Sequence, residues 1–197
     1  LHLDTPFQGI SRVAPNVAEA LRDASLAAWD RLVQLVIERE ANFLLLAGDI
    51  YDGPERGVRA QLKFYAGLQR LTQSGIQTFI VHGNHDPLNG WSAIRDWPTG
   101  VTVFGANEVE SVDVIRNDQK LATIHGISYA QREVTENLSH RFHRTSSEGL
   151  QIGLLHCNLG NDQEHAPYSP CSVDDLRLAG MNYWALGHAH RHRVVHS

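Results

Sequence analysis

FLLLAGDIYDGPERGVRAQLKFYAGLQRLTQSGIQTFIVHGNHD, residues 43–86, is the stretch on which the fold turns. Its first five residues form a short apolar run bounded by polar ones, which predicts a buried strand. Residues 60–72 place apolar side chains at helical spacing and stop near Gly75, and residues 76–81 read as the next buried strand. A strand, a helix and a second strand in that order predict a parallel crossover, and hence an α/β domain. Both strands run straight into polar groups: Asp49 after the first, Asn84 and His85 after the second. Open α/β sheets gather their ligands beyond the carboxyl ends of strands, so such groups can converge from distant parts of the chain.

Upstream, residues 17–40 carry Leu21, Leu26, Trp29, Leu32, Leu35 and Val36 at helical spacing, with Asn16 placed to cap a long amphipathic helix. Downstream the character changes. Residues 101–104, 109–115 and 121–128 are short strand-like runs separated by turn-rich residues, implying a meander or a second sheet. Residues 132–142 are open to a helix, 151–155 form a further buried strand, and Ser172 starts a short helix with Asp174 and Asp175 in its first turn. Residues 183–186 are again strand-like. Two sheets flanked by helices, a four-layer α/β/β/α sandwich, accommodate this order best.

The 197 residues fit one domain, spanning 1–197. Lys plus Arg is 17 against 22 for Asp plus Glu, a net charge of −5. No global basic field therefore advertises nucleic acid, and any DNA contact has to be local or shared with a partner. Cys157 and Cys171 are too few for a disulfide framework and read as ordinary thiols of a reducing compartment. No apolar run approaches the roughly 18 residues of a membrane span, and LHLDTPFQG has no signal-peptide pattern; the expectation is a cytoplasmic protein without a membrane partner.

Four strand ends carry the chemistry: Asp49, the pair Asn84 and His85, His156, and the pair His188 and His190. Any one of them alone is an ordinary strand-to-loop turn. Asp49 offers two oxygens, so a single side chain can bridge two cations about 3.5 to 4 Å apart, the spacing of two-metal hydrolysis. His188 and His190 stand at positions i and i+2, which face the same side of an extended backbone. With the amide of Asn84 and the imidazole of His156, the nitrogen and oxygen set suits manganese, zinc or iron better than calcium, with magnesium less natural. His85 follows Asn84 directly, so it points away from that ligand and is free to face a substrate as an acid or charge stabiliser. Asp86 is placed to orient its imidazole or, equally, to cap the next turn.

GDIYD (48–52), GNHD (83–86), the histidine of LLHCN (His156) and GHAH (187–190) resemble, in order and spacing, the motifs of calcineurin-like metallophosphoesterases. The opening LHLDTPF resembles the family's first motif, Asp-x-His, with His2 as its histidine and the aspartate falling before Leu1. The resemblance implies a first metal held by His2, Asp49 and His190 and a second held by Asp49, Asn84, His156 and His188, with His85 as the catalytic histidine. Over nearly the whole chain the sequence looks like the SbcD and YhaO branch of bacterial DNA repair exonucleases. That branch implies a manganese-dependent nuclease acting on DNA, an SbcC-like ATPase partner and a homodimer. Against it, the N-terminal strand looks truncated and the C-terminal capping region absent.

Arg12, Arg56 and Arg59 lie near the first two motifs and are candidates to position phosphates, although such residues are more often solvated surface charge. Arg132, His140, Arg141, His143 and Arg144 make a locally basic stretch, read as an exposed helix face. Tyr129 could stack on a base, a half-buried aromatic being the commoner case. His82, His125, His165, His192 and His196 have no assigned role. Two other functions compete: a small-molecule or nucleotide phosphodiesterase on the same metal centre, and a non-enzymatic interaction module, which would not need convergent ligands.

Overall fold

The structure, a computed structural model, describes residues 1–3, 5, 15–53, 55–160, 166–190 and 194. Arg12, His165, His192, His196 and the side chain of Leu21 lie outside the described residues. Among the described residues the first element is helix α1 (Pro15–Glu38), followed by β1 (Phe43–Ala47), α2 (Val58–Gln73) and β2 (Gln77–Val81). Asn16 lies inside α1 and not ahead of it, so it is not the expected cap; Pro15 supplies the fixed φ that the first turn of a helix accepts. Then come β3 (Val101–Val103), β4 (Glu110–Arg116), β5 (Gln119–Gly126), β6 (Leu150–His156), α3 (Val173–Leu178) and β7 (Tyr183–Gly187).

Among the described residues the strands form two sheets, β1-β2-β3 and β4-β5-β6-β7. The first is parallel throughout, as the crossover reading requires. The second is not a meander: β4 and β5 pair antiparallel, but β5, β6 and β7 run parallel to one another. That parallel run brings the carboxyl ends of β6 and β7 to one edge.

Side-chain alternation builds the layers. In β2, Ile80 joins the core under the helices, with Trp29 and Val33 of α1 and Phe64, Leu68 and Leu71 of α2. Its neighbours Phe79 and Val81 point the other way, into the core between the sheets, where Ile124 of β5 and Ile152 and Leu154 of β6 meet them. Leu155 again reverses, packing with Trp184, Leu176 of α3 and Phe142 on the far side of the second sheet. Period-two alternation thus gives each sheet two buried faces, and four layers result: helices, sheet, sheet, helix.

The segment 132–142 is not a helix. A single 3₁₀ turn, Leu138–Arg141, remains, and Asn137 accepts from the Ser139 N–H at its start. The main chain ahead of it is bound across the fold instead, Val134 O accepting from Ser169 N. The expected basic helix face is therefore absent: Arg141 pairs with Glu136 (Nε to Oε1, 2.8 Å), His140 with Asp175 (2.9 Å), and Arg144 donates to Ser146 O.

The two sheets come close together where β7 ends beside β1. A Cβ on Gly187 would lie 1.8 Å from the carbonyl oxygen of Ala47, well inside contact distance. Gly187→Ala is expected to force the strands apart and cost at least the roughly 1–3 kcal/mol of an overpacked core. Thermal unfolding followed by circular dichroism reads this as a lowered midpoint; an unchanged midpoint would contradict the packing described.

Candidate metal centre

His2, Asp49, His156, His188 and His190 line one cavity of about 280 Å³, so side chains 188 residues apart in sequence share a single space. Backbone geometry brings them there. His2 and Leu3 run alongside the first loop, their N–H groups donating to Asp49 O and Ile50 O at 2.9 Å each. His2, Asp49 and His188 all adopt positive φ (49°, 50° and 100°), which non-glycine residues seldom do. Strain of that kind persists only where the surroundings impose it, and it concentrates at functional positions.

Asp49 is the hinge of the arrangement. Its Oδ1 accepts from the main-chain N–H of His85 at 3.1 Å. Its Oδ2 stands 3.6 Å from His2 Nε2 on one side and 3.4 Å from His156 Nε2 on the other. Gly83 permits this closeness, since a Cβ there would sit 2.5 Å from Asp49 Oδ1 and 2.8 Å from the His156 ring.

Tautomers follow from the partners. His156 Nδ1 donates to Ala47 O (2.9 Å), which leaves the ring's lone pair on Nε2. That lone pair faces Asn84 Oδ1 at 3.0 Å as well as the Asp49 carboxylate. Burial lowers the His156 pKa and keeps the ring neutral. His156 Nε2, Asn84 Oδ1 and the Asp49 carboxylate are thus close enough to one another to serve as ligands to a single cation. His188 Nε2 donates to Ala166 O (3.0 Å), putting its lone pair on Nδ1, and His2 Nδ1 donates to Asp52 Oδ1 (2.9 Å), putting its lone pair on Nε2. Donor atoms within 4.8 Å of one another group as His2, Asp49 and His190 and as Asp49, His156 and His188. With Asn84 beside His156, the fold brings the residues named as ligands from the sequence together around Asp49, and His2, Asp52 and His85 form a third group of the same kind.

Asp86 departs from expectation. It does not touch His85; its fully buried carboxylate accepts from the N–H groups of Gly83 (2.9 Å), Ile50 (2.9 Å) and Asp49 (3.2 Å) and meets His82 Nδ1 at 3.0 Å. Asp86 therefore ties the loop after β1 to the loop after β2. The residue beside His85 is Asp52, whose Oδ1 lies 3.4 Å from His85 Nδ1. Asp52 lies within the GDIYD motif without a local mark of this role, whereas the i, i+4 spacing of His82 to Asp86 is a signal visible in the sequence.

Burial alone would raise the Asp86 pKa, but His82, the Gly83 N–H and Arg56 outweigh it and hold the carboxyl below its ordinary 3.8. A depressed native pKa contributes stability that is complete above the unfolded value and is lost as the pH falls through the native one. Asp86→Asn is thus expected to lower stability at neutral pH and to flatten the acid-unfolding profile below about pH 4; a variant that unfolds in acid as the parent does would refute this.

The candidate phosphate contacts fare differently. Arg56 is only 6 % exposed, and its guanidinium donates to the carbonyls of Asp86 (2.7 Å) and Pro87, so it faces the protein and not a substrate. Arg59 sits in an exposed pair with Asp23 at 2.7 Å. Tyr129 is buried, edge-on to His156 with ring centroids 5.5 Å apart, and has no face for a base. Cys157 and Cys171 are buried free thiols, Cys171 Sγ donating to Cys157 Sγ at 3.5 Å. His125 is buried in the second sheet between Ser111 and Gln151.

A two-sheet sandwich whose parallel strands end in carboxylate, amide and imidazole donors grouped about one shared aspartate is the build of a metal-dependent hydrolase. The profile of the family described as calcineurin-like phosphoesterase matches residues 1–192, and the chain belongs to that family, whose members use a dinuclear centre of divalent metals. Relatives include a protein of Bacillus subtilis named uncharacterized metallophosphoesterase YhaO, 36% identical over 196 residues, covering 99% of this chain and 48% of the relative. Two archaeal proteins named DNA double-strand break repair protein Mre11 are more distant. That of Sulfurisphaera tokodaii is 29% identical over 84% of this chain and 43% of its own, and that of Thermoplasma acidophilum 28% over 83% and 44%. The chain spans about half the length of the curated relatives it matches. No helix among the described residues is long and apolar enough to cross a membrane.

Proposed function

We propose that this chain is the catalytic part of a DNA repair exonuclease, hydrolysing phosphodiester bonds with two divalent cations, manganese foremost. The observation that carries the metal-centre reading is Asp49 Oδ2 standing between the imidazoles of His2 and His156. His2, Asp49 and His190 would hold one cation, and Asp49, Asn84, His156 and His188 the other. Bound there, the pair would acidify water and neutralise phosphoryl oxygens.

The remaining work falls to the chain. His85, about a third exposed at its side chain, would stand where its ring can protonate the departing oxygen, with Asp52 3.4 Å from its Nδ1 to orient the imidazole. Asp49 holds the His85 main chain through its Oδ1, coupling the acid to the metal donors. Support for DNA as substrate comes from the relatives named as double-strand break repair proteins. An SbcC-like ATPase and a second copy of the chain are the proposed partners.

The test is degradation of linear DNA by the purified protein with manganese, with chelator, and beside a small phosphodiester. Chelator-sensitive loss of DNA supports the reading. Turnover of the small ester alone would leave a phosphoesterase with a different substrate, and turnover of neither would favour an interaction module.

A further inference from the structure

The loops that carry Asp52 and His85 are joined by a buried cation outside the donor set. Arg56 belongs to the loop after β1, the loop of Asp49 and Asp52, and its main chain is itself held in the left-handed region, with φ 36°. Its Nη2 donates to Asp86 O and Pro87 O, the two carbonyls immediately after His85. The guanidinium also lies 5.5 Å from the centroid of the Tyr51 ring, which walls it in. Gln61 of α2 fixes the other end: its Nε2 donates to Arg56 O at 2.8 Å and its Oε1 accepts from Ala93 N at 2.7 Å.

The consequence is geometric. Residue 86 is gripped from two sides, its carboxylate by the main chain of Gly83, Asp49 and Ile50 and its carbonyl by Arg56. Asn84 and His85 lie directly before this grip. Without the guanidinium, Asp86 O would lose its donor while Pro87 O kept only the Gly90 N–H at 3.0 Å, and a buried acceptor left unpaired is costly enough to move a loop. The Asp52 to His85 contact, already 3.4 Å, depends on the distance between these same two loops.

We infer that Arg56 is a positioning residue for His85: it bolts the Asp52 loop to the His85 loop and so fixes the imidazole against the departing group. The inference rests on the phosphodiesterase reading above. Lysine cannot replace it fully, because a compact ammonium lacks the flat guanidinium face that lies over the Tyr51 ring.

Two esters test it: a DNA dinucleotide, whose alkoxide needs a proton to leave, and bis(p-nitrophenyl) phosphate, whose phenolate does not. Arg56→Met is expected to lower kcat on the dinucleotide about 10- to 100-fold, the usual cost of a misplacement near 1 Å. KM, the metal content and turnover of the activated ester should change little. In Arg56→Met/His85→Ala the loss should equal that of His85→Ala alone, because the two residues act on one step. Equal losses on the two esters, full additivity in the double variant, or unaltered dinucleotide turnover would each overturn the inference. If Arg56→Met does not fold, Arg56→Lys is expected to show the same split in milder form, and equal losses there count against the inference too.

A wild-type protein inactive on both esters would count against the phosphodiesterase reading instead. The positioning of His85 can still be read by NMR of the metal-free protein: its ring resonances should shift or broaden in Arg56→Lys while those of His140, in the 3₁₀ turn beyond the second sheet, stay in place. Unmoved His85 resonances would overturn the inference.

Discussion

Asp49→Ala is expected to strip both cations from the protein and reduce turnover to background. Its Oδ2 is the atom common to the two donor groups, 3.6 Å from His2 and 3.4 Å from His156. Neither group retains a carboxylate among the described residues once it is gone, so each is left with neutral donors that bind divalent ions weakly. The loss reaches further, since Oδ1 also holds the His85 N–H. Because Asp49 has φ 50°, which alanine tolerates less well than asparagine, Asp49→Asn is the matching control for backbone strain. Elemental analysis after dialysis against manganese should fall from about two ions per chain to none in the alanine variant. Two retained ions would remove Asp49 from the centre of the site.

His85→Ala should behave in the opposite way on metal content and in the same direction on rate. No cation depends on its side chain in the proposed arrangement, so two ions should remain. Loss of a positioned acid is worth about 10²- to 10⁴-fold, and kcat on DNA should fall by that amount. The deficit should shrink on an ester with an activated leaving group. Loss of metal in parallel with rate would instead make His85 a ligand; the contact among His2, Asp52 and His85 gives that outcome a concrete geometry.

Much of the architecture is legible because local pattern and global packing agree. The run 43–47, the spacing of Phe64, Leu68 and Leu71, and the run 76–81 give a strand, a helix and a strand that form within a residue or two of expectation. Where local signals were ambiguous, tertiary bonds decided. Residues 132–142 have helix-compatible spacing, yet the main chain there pairs with residue 169, and His140 and Asn137 turn to Asp175 on α3. Pairing of the second sheet was equally open, since a short apolar run carries no mark of whether its neighbour runs parallel or antiparallel.

The same division runs through the site. Asp49, Asn84, His156, His188 and His190 were legible because metal-competent residues follow four strand-like runs in an order that resembles the family's motifs. The roles of the residues around them could not be read that way. Asp86 and Asp52 are both carboxylates close to His85 in sequence terms, and only the folded loops send one to the backbone of residues 49, 50 and 83 and the other to the imidazole. Arg56 has the composition of a phosphate contact, and its burial beneath Pro87 makes it a bolt between loops. What the sequence by itself determined was which residues can bind metal and on which strands they end, since residue chemistry and periodicity are local properties. What only the tertiary structure decided was which polar group meets which, because that depends on how two loops from different strands pack against one another.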